Sequence, residues 1–134
     1  MGTTTIEYRV LPGTRAAVGR SGNHHVIADR PEGKAGGMGL GFNGGELLAL
    51  AIGGCFCNDM QEIADRMSVT IAALKVSVDV DLGGEPSRAT HERLTVECTL
   101  ADGSDPSDLI ERTKAETTIG NSIRSGIPFE ISTA

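Results

Sequence analysis

Three cysteines are the residues of this chain best suited to chemistry, because a thiolate is a strong nucleophile. They stand at positions 55, 57 and 98. Cys55 lies in the apolar run from Leu47 to Cys57, where a free cysteine often serves only as a small buried hydrophobe. It lies too far along the helix predicted there for the N-terminal dipole to act on it, so a stable thiolate requires a cation from another segment.

Two other patterns resemble functional clusters but fit structural roles better. His24 and His25 are adjacent on a predicted strand and point to opposite faces, whereas zinc needs three or four converging ligands. Asp79 and Asp81 alternate with valine, which is typical of the solvated face of a sheet. The sequence has no phosphate loop, dinucleotide fingerprint or Gly-x-Ser-x-Gly motif. We therefore expect neither a bound metal nor a cofactor.

The composition predicts one small domain with a thin core. A chain of 134 residues has room for a single compact domain, residues 1–134. It has no Trp, one Tyr and three Phe, so the core must be built from aliphatic side chains and Met. Such a chain gains buried area by pairing with a second copy, and we expect a homodimer.

Charge and hydropathy exclude several partners. The net charge is −6, and the 12 Lys and Arg residues are scattered without a run, so no basic stripe exists to bind nucleic acid. The longest apolar run is about half of the ~20 residues that a membrane-spanning helix needs. The N-terminus lacks the layout of a signal peptide, and three cysteines are too few for a secreted disulfide scaffold. We expect a cytoplasmic protein with reduced thiols.

A long helix is predicted in the middle of the chain. Asn43 and Glu46 have the spacing of a capping box, so the helix should begin at Gly44. It should extend to about Met67, with a first half that is apolar on every side and therefore buried. Two glycines within it, at positions 53 and 54, weaken a helix and should allow another backbone to approach closely.

The remaining segments show mostly strand periodicity. Three β-rich runs punctuated by turn residues open the chain and predict a three-stranded antiparallel sheet, followed by a glycine-rich loop, residues 30–43, close to a site. Alternation over residues 74–82 and 93–100 predicts an antiparallel pair, and Asp105-Pro106 starts a helix that extends to about Thr117. Residues 127–131 alternate as a final strand. The predicted order is βββ-α-ββ-α-β, an α+β fold.

The segment Gly41-Phe-Asn-Gly-Gly-Glu-Leu-Leu-Ala-Leu-Ala-Ile-Gly-Gly-Cys55-Phe resembles the helix motif of OsmC-like and organic hydroperoxide resistance (Ohr) proteins. That motif is roughly Gly-x-Asn-Pro-Glu, then Glu or Gln, Leu, seven residues and Cys-Phe. Gly19-Arg20-Ser-Gly and Gly120-Asn-Ser-Ile-Arg124-Ser-Gly126 are similar to two further family segments. The resemblance implies the OsmC-like fold, with a long buried central helix, as an intertwined homodimer with sites at its interface. It also implies that Cys55 attacks a peroxide oxygen and that Arg20 stabilises the thiolate.

The sequence departs from the family pattern at two positions. Thr117 stands where the family's peroxidases have their resolving cysteine, so a disulfide cannot form there. The family's active-site Glu falls on Gly45, and the neighbouring Glu46 is rotated by about 100° on a helix. Cys57 is the obvious substitute for the resolving thiol, but residues i and i+2 point about 200° apart on an intact helix. Cys98 is expected in the core.

These residues lead to one principal hypothesis and two alternatives. The principal hypothesis is a thiol-dependent peroxidase for organic hydroperoxides, in which an external thiol reduces the Cys55 sulfenic acid in a one-cysteine cycle. The residues expected to assist Cys55 and Arg20, or to substitute for missing groups, are Glu46, Cys57, Thr117 and Arg124. The alternatives are a non-catalytic dimeric module that holds a small hydrophobic ligand and a redox sensor for a partner protein.

Overall fold

The computed structural model describes residues 2–134. They form β1 Glu7–Val10, β2 Ala17–Ser21, β3 His24–Ala28, α1 Gly44–Arg66, β4 Ile71–Gly83, β5 Arg88–Leu100, α2 Ser107–Glu116 and α3 Thr118–Ser125. The predicted α+β class is confirmed. The chain forms two compact units, of which the first ends at Leu47 and the second begins at Leu48, and each has its own antiparallel sheet. The assignment of residues 1–134 to one domain stays a prediction.

The first unit is a meander of three short strands, as the turn residues predicted. The strands are hydrogen-bonded in the order β1-β2-β3. A two-residue turn joins β2 to β3, and its Gly22 has φ of +58°, a conformation that favours glycine. Arg20 on β2 is paired with Glu7 on one side and with His25 on the other. The glycine-rich loop then leads to the start of α1.

The capping box predicted at the start of α1 is confirmed. The backbone N–H of Glu46 donates to Asn43 Oδ1 at 2.9 Å, and the backbone N–H of Asn43 donates to Glu46 Oε1 at 3.0 Å. The helix ends at Arg66, one residue before the predicted end, and Ser68 just beyond it has φ of +56°. Its buried side chains form one stripe, Ile52, Phe56, Met60, Ile63 and Ala64.

The prediction that the first half of α1 is buried on every side is wrong for the single chain. Leu50 is 50% exposed, because the sheet and helices of the second unit pack along the buried stripe and leave other sides of the helix uncovered. The predicted approach of another backbone to the two glycines is wrong: a Cβ at Gly53 would lie 3.1 Å from Val78 Cγ2 on β4, so a side chain packs against this glycine. Gly54 has no such neighbour within 4 Å.

The core of the second unit lies between α1, the β4–β5 pair and α2. Its buried members are Phe56, Met60, Ile63, Ala64, Leu100 and Leu109. The two strands are paired along their length, with Val78 opposite Leu94 and Leu74 opposite Cys98. The alternation seen in the sequence therefore divides the pair correctly into an inner apolar face and an outer polar face. No helix within residues 2–134 combines the length and hydropathy needed to cross a membrane.

Two predictions for the end of the chain are wrong. Residues 118–125, expected to follow the last helix, form the additional helix α3. Residues 127–131, expected to be a strand, form neither strand nor helix, and Ile127, Phe129 and Ile131 are 66%, 83% and 83% exposed. A strand exists only when it is hydrogen-bonded to a neighbour, and alternation alone does not supply one. The observed order is therefore βββ-α-ββ-α-α.

Candidate active site

Cys55 lies in the middle of α1 and is half-buried. Its Sγ donates a hydrogen bond to Asp59 Oδ2 at 3.4 Å. Residues i and i+4 are neighbours on a helix surface, so the intact helix itself holds the thiol against the carboxylate. Sequence analysis missed Asp59, although the spacing of four from Cys55 was visible and could have identified it.

The same carboxylate oxygen links Cys55 to the start of α3. The backbone N–H of Thr118, the first residue of α3, donates to Asp59 Oδ2 at 3.2 Å. Thr117 separates α2 from α3 because its extended backbone, with ψ of 121°, breaks the helical path. The break leaves the N–H of Thr118 free to bond outside α3. One carboxylate oxygen thus connects the thiol with the junction of two helices.

Thr117, at the position of the family's resolving cysteine, is part of this junction. The residue is 5% exposed, and its Oγ1 has no hydrogen-bond partner among the described residues. Its neighbour Thr118 shares Asp59 Oδ2 with Cys55. Thr117 is therefore next in sequence to a residue that shares a hydrogen-bond acceptor with Cys55, and its side chain has a hydroxyl group and no sulfur.

Arg124 has a bonding role on the adjacent helix. Its Nη1 donates to Lys114 O at 3.2 Å and to Asn121 Oδ1 at 2.9 Å. The Asn121 side chain in turn donates to Ala115 O at 3.0 Å. These two residues of the family-like segment satisfy carbonyls at the C-terminal end of α2, which have no partner within that helix. They thereby hold α3 against the end of α2.

The other two cysteines have surroundings different from those of Cys55. Cys57 lies two residues further on the same continuous helix, so its side chain points about 200° away from that of Cys55. Cys98 packs against the core from the inner face of β5, as predicted. Burial raises the pKa of the Cys98 thiol, because a hydrocarbon environment disfavours the thiolate.

A cavity of about 530 Å³ lies in the second unit beside the buried stripe of α1. Its apolar lining comes from Ile52, Phe56, Leu94, Val96, Ile110 and Ile123. Thr117 and Arg124 also line the cavity, whereas Cys55 does not. The volume is that of a small-molecule site. Two of the predicted auxiliary residues thus share a cavity that Phe56, the next residue after Cys55, helps to form.

Arg20 and Glu46 belong to the first unit. Arg20 is exposed on β2. Its backbone is paired with the neighbouring strands β1 and β3, and within residues 2–134 its guanidinium forms no ion pair with a carboxylate. Glu46 is engaged in the capping box, which supports the capping interpretation of that residue. The approach of Arg20 to a Cys55 thiolate stays a prediction. Within residues 2–134 no three His, Cys, Asp or Glu side chains are grouped as a metal site would require.

Asp29 is a second residue that sequence analysis missed. It is 8% exposed, and its carboxylate accepts backbone hydrogen bonds from Leu40 at 3.0 Å, Met38 at 3.1 Å and Arg30 at 2.8 Å. The Leu40 N–H, with those of Met38 and Arg30, holds the pKa of Asp29 below its ordinary value against the opposing effect of burial. One carboxylate thus orders the glycine-rich loop that precedes α1.

Comparisons with known proteins place the fold in a family. The model of the OsmC-like protein family matches residues 36–132. An OsmC-like protein from Mycoplasma pneumoniae has a TM-score of 0.76 and 16% identity, over 92% of this chain and 88% of that chain. No curated protein matches.

Two further solved structures with this fold have names that refer to hydroperoxides. An organic hydroperoxide resistance protein, OsmC, from Legionella pneumophila has a TM-score of 0.64 and 16% identity, over 92% of this chain and 90% of that chain. An organic hydroperoxide resistance protein from Elizabethkingia anophelis has a TM-score of 0.66 and 18% identity, over 92% and 89%. The structural matches share the fold, the family model covers most of the chain, and this protein belongs to the OsmC-like family.

Proposed function

We propose that this protein is a thiol-dependent peroxidase that reduces organic hydroperoxides through Cys55. The observation that carries the proposal is the hydrogen bond from Cys55 Sγ to Asp59. Among the described cysteines, Cys55 alone has a sulfur that is hydrogen-bonded to a polar side chain. Family membership and the names of the Legionella and Elizabethkingia neighbours support a role connected with peroxides.

The proposed reaction oxidises the sulfur and reduces the peroxide. The Cys55 sulfur attacks the terminal oxygen of the hydroperoxide, so an S–O bond forms while the O–O bond breaks. The alcohol leaves with the proton that the thiol gives up, and Cys55 becomes a sulfenic acid. Because Thr117 has no sulfur, an external thiol then attacks the sulfenic sulfur and releases water. A second external thiol reduces the mixed disulfide and restores Cys55.

Arg20 is proposed to stabilise the thiolate, on the strength of its position in the family-like segment. A guanidinium near a thiolate favours the charged form by Coulomb attraction. The contrast between Arg20→Lys and Arg20→Ala tests this role, since Lys keeps the charge. We expect the Ala variant to be oxidised more slowly than the Lys variant at neutral pH. Equal oxidation rates in the wild type and both variants would remove Arg20 from the mechanism.

The apolar cavity beside Phe56 suits the hydrocarbon part of an organic hydroperoxide, which favours organic substrates over hydrogen peroxide. The same cavity supports a second candidate function, a non-catalytic module that holds a small hydrophobic molecule, because Cys55 is not part of its lining. Native mass spectrometry of gently purified protein separates the two. A retained small molecule with an unmodified Cys55 supports the binding module, whereas a sulfenic acid or mixed disulfide on Cys55 supports redox chemistry. A redox sensor would show the same adducts with slow turnover.

A second copy of the chain is the proposed partner. The second unit leaves large apolar side chains uncovered, Leu50 at 50% and Phe129 at 83% exposure, and burying such side chains drives association. We expect a homodimer in light scattering coupled to size exclusion, and a monomer at micromolar concentration would reject it. The cycle also requires reduced external thiols, which agrees with a cytoplasmic location.

The decisive experiment compares cysteine variants in the complete chain. Wild type, Cys55→Ser, Cys57→Ser and Cys98→Ser are mixed with cumene hydroperoxide and excess dithiothreitol, and peroxide consumption is measured. We expect Cys55→Ser to lose protein-dependent turnover, while the Cys57 and Cys98 variants, as matched controls, keep most of it. Turnover that persists in Cys55→Ser, or none in the wild type, would reject the proposed function.

A further inference from the structure

The Asp59 carboxylate has a geometry that suits proton transfer as well as orientation of the Cys55 thiol. Its Oδ2 lies 3.4 Å from Cys55 Sγ and accepts the S–H hydrogen bond, while the Thr118 N–H bonds the same oxygen at 3.2 Å. Within residues 48–134, Asp59 Oδ1 accepts no hydrogen bond. The carboxylate is thus fixed at one oxygen and has the other available for a further group.

We propose that Asp59 is the proton acceptor and donor of the peroxidase reaction. As Cys55 Sγ attacks the terminal peroxide oxygen, the thiol proton passes to the Asp59 carboxylate. The O–O bond breaks, and the carboxylic acid delivers that proton to the departing alkoxide oxygen, which leaves as an alcohol. Asp59 ends the step as a carboxylate, Cys55 ends it as a sulfenic acid, and no other reactant is consumed. This inference rests on the proposed function, because Asp59 acts on the Cys55 sulfur.

The energetics favour a relay over simple stabilisation of a thiolate. Asp59 is itself an anion, so its role is to move the proton and not to stabilise negative charge on the Cys55 sulfur, which is the role proposed for Arg20. The alkoxide that leaves is much more basic than a thiolate or a carboxylate. Transfer of the proton from the Cys55 thiol through Asp59 to this alkoxide is therefore favourable in free energy. General acid–base catalysis of this kind lowers the barrier only when the proton moves together with the reacting bonds.

The junction of α2 and α3 keeps the carboxylate in position. Thr118 can donate to Asp59 because Thr117 interrupts the helix before it. The first turn of α3 contains no acidic residue, and its one charged residue, Arg124, lies in the last turn and bonds Asn121 and the end of α2. On α1, the charged neighbour closest in sequence is Glu62, one turn further on. Asp59 is therefore the carboxylate that reaches the sulfur.

The test uses two reagents that have different leaving groups. Cumene hydroperoxide expels an alkoxide that needs a proton, whereas iodoacetamide expels iodide, which does not. Asp59→Asn keeps an oxygen that accepts from Thr118 and Cys55 but cannot carry a proton. We expect Asp59→Asn to slow single-turnover oxidation of Cys55 at neutral pH by about 10²-fold, at the lower end for acid–base catalysis. We expect its alkylation by iodoacetamide to be unchanged or faster.

The pH profile and a control variant complete the design. At alkaline pH, where hydroxide removes the thiol proton, the oxidation rates of the wild type and Asp59→Asn should converge. Asp65→Asn makes the same charge change on the same helix, at an exposed position, and should leave both reactions unaltered. Asp59→Glu should recover part of the lost rate.

Each outcome has a defined meaning. Equal slowing of oxidation and alkylation in Asp59→Asn would assign Asp59 a purely structural role and overturn the relay. Wild-type oxidation rates in Asp59→Asn would also overturn it, while leaving Cys55 as the peroxidatic residue. A wild type that does not react with the hydroperoxide would instead reject the proposed function itself, and the relay with it.

Discussion

Cys98 and Cys55 are the same residue type in two very different surroundings. Cys98 lies on the inner face of β5 among hydrocarbon side chains that pack on the core, and burial raises the pKa of its thiol. Cys55 lies on α1 with a carboxylate oxygen 3.4 Å from its sulfur. Hydrocarbon can accommodate only the neutral thiol, whereas a carboxylate can remove its proton during a reaction. Both cysteines are half-buried, so they differ in their neighbours and not in burial, and the proposed function assigns the reaction to the cysteine beside the carboxylate.

The largest expected effect is selective oxidation. In folded protein treated with cumene hydroperoxide and dimedone, peptide mass spectrometry should show Cys55 modified at least about 100-fold faster than Cys98, because susceptibility follows access and the ability to form a thiolate. In concentrated urea the two rates should become similar, since the surroundings that distinguish the thiols are lost. Comparable labelling of Cys55 and Cys98 in the folded state would contradict the proposed difference between the two thiols.

The second effect concerns stability, and here substitution of Cys98 should have a larger effect than substitution of Cys55. Cys98→Ser places a hydroxyl among hydrocarbon side chains and should lower the free energy of unfolding by about 1–3 kcal/mol. Cys55→Ser keeps a donor for Asp59 and should cost less than about 1 kcal/mol. Urea unfolding followed by circular dichroism measures both values. If the two variants were equally destabilised, Cys98 would not differ from Cys55 in its packing.

The smallest effect is a pH dependence that arises from Cys98. Its raised pKa in the folded state means that the unfolded thiol ionises first, so the folded protein holds the proton in the intervening range. The free energy of unfolding should therefore fall as pH rises above about 8.5, by at most about 1.4 kcal/mol per pH unit, and level off beyond the folded pKa.

Cys98→Ala is the reference for this measurement, because it removes the titrating group. Urea unfolding at several pH values between 8 and about 10.5 should show the difference between the wild type and the variant narrowing as pH rises. A constant difference over this range would mean that the Cys98 thiol ionises equally well in the folded and unfolded chain.

Local signals in the sequence were sufficient for most of the fold. The capping box at Asn43 and Glu46 determined the start of α1, and alternating residues identified β4 and β5, although the strands begin at Ile71 and Arg88, earlier than predicted. These features depend on neighbours in sequence or on a period of two, which a single chain displays directly.

Features that depend on distant partners were not predictable. Helix α3 contains Gly120 and has only eight residues, and it is held by hydrogen bonds from Arg124 and Asn121 to the end of α2. The alternation of residues 127–131 favours a strand, but no edge strand of either sheet pairs with this segment among residues 2–134. In both cases the deciding interaction lies outside the local sequence.

The candidate site shows the same division. Cys55 is the reactive residue predicted from its motif, and Asp59 lies one helical turn away, at a spacing that could have been noticed in the sequence. The bond from Thr118 to Asp59 was not accessible, because it joins residues 59 positions apart in sequence and requires the break at Thr117.

The side chains that begin α1 also determine what the helix can attract. The first turn of a helix carries a partial positive charge and exposed amide donors, which commonly recruit anions. Here Glu46 provides its own negative charge at that end and accepts one of the donors. An anionic solute arriving at the beginning of α1 would meet a resident carboxylate, so this end of the helix disfavours anions and has no such effect on neutral molecules.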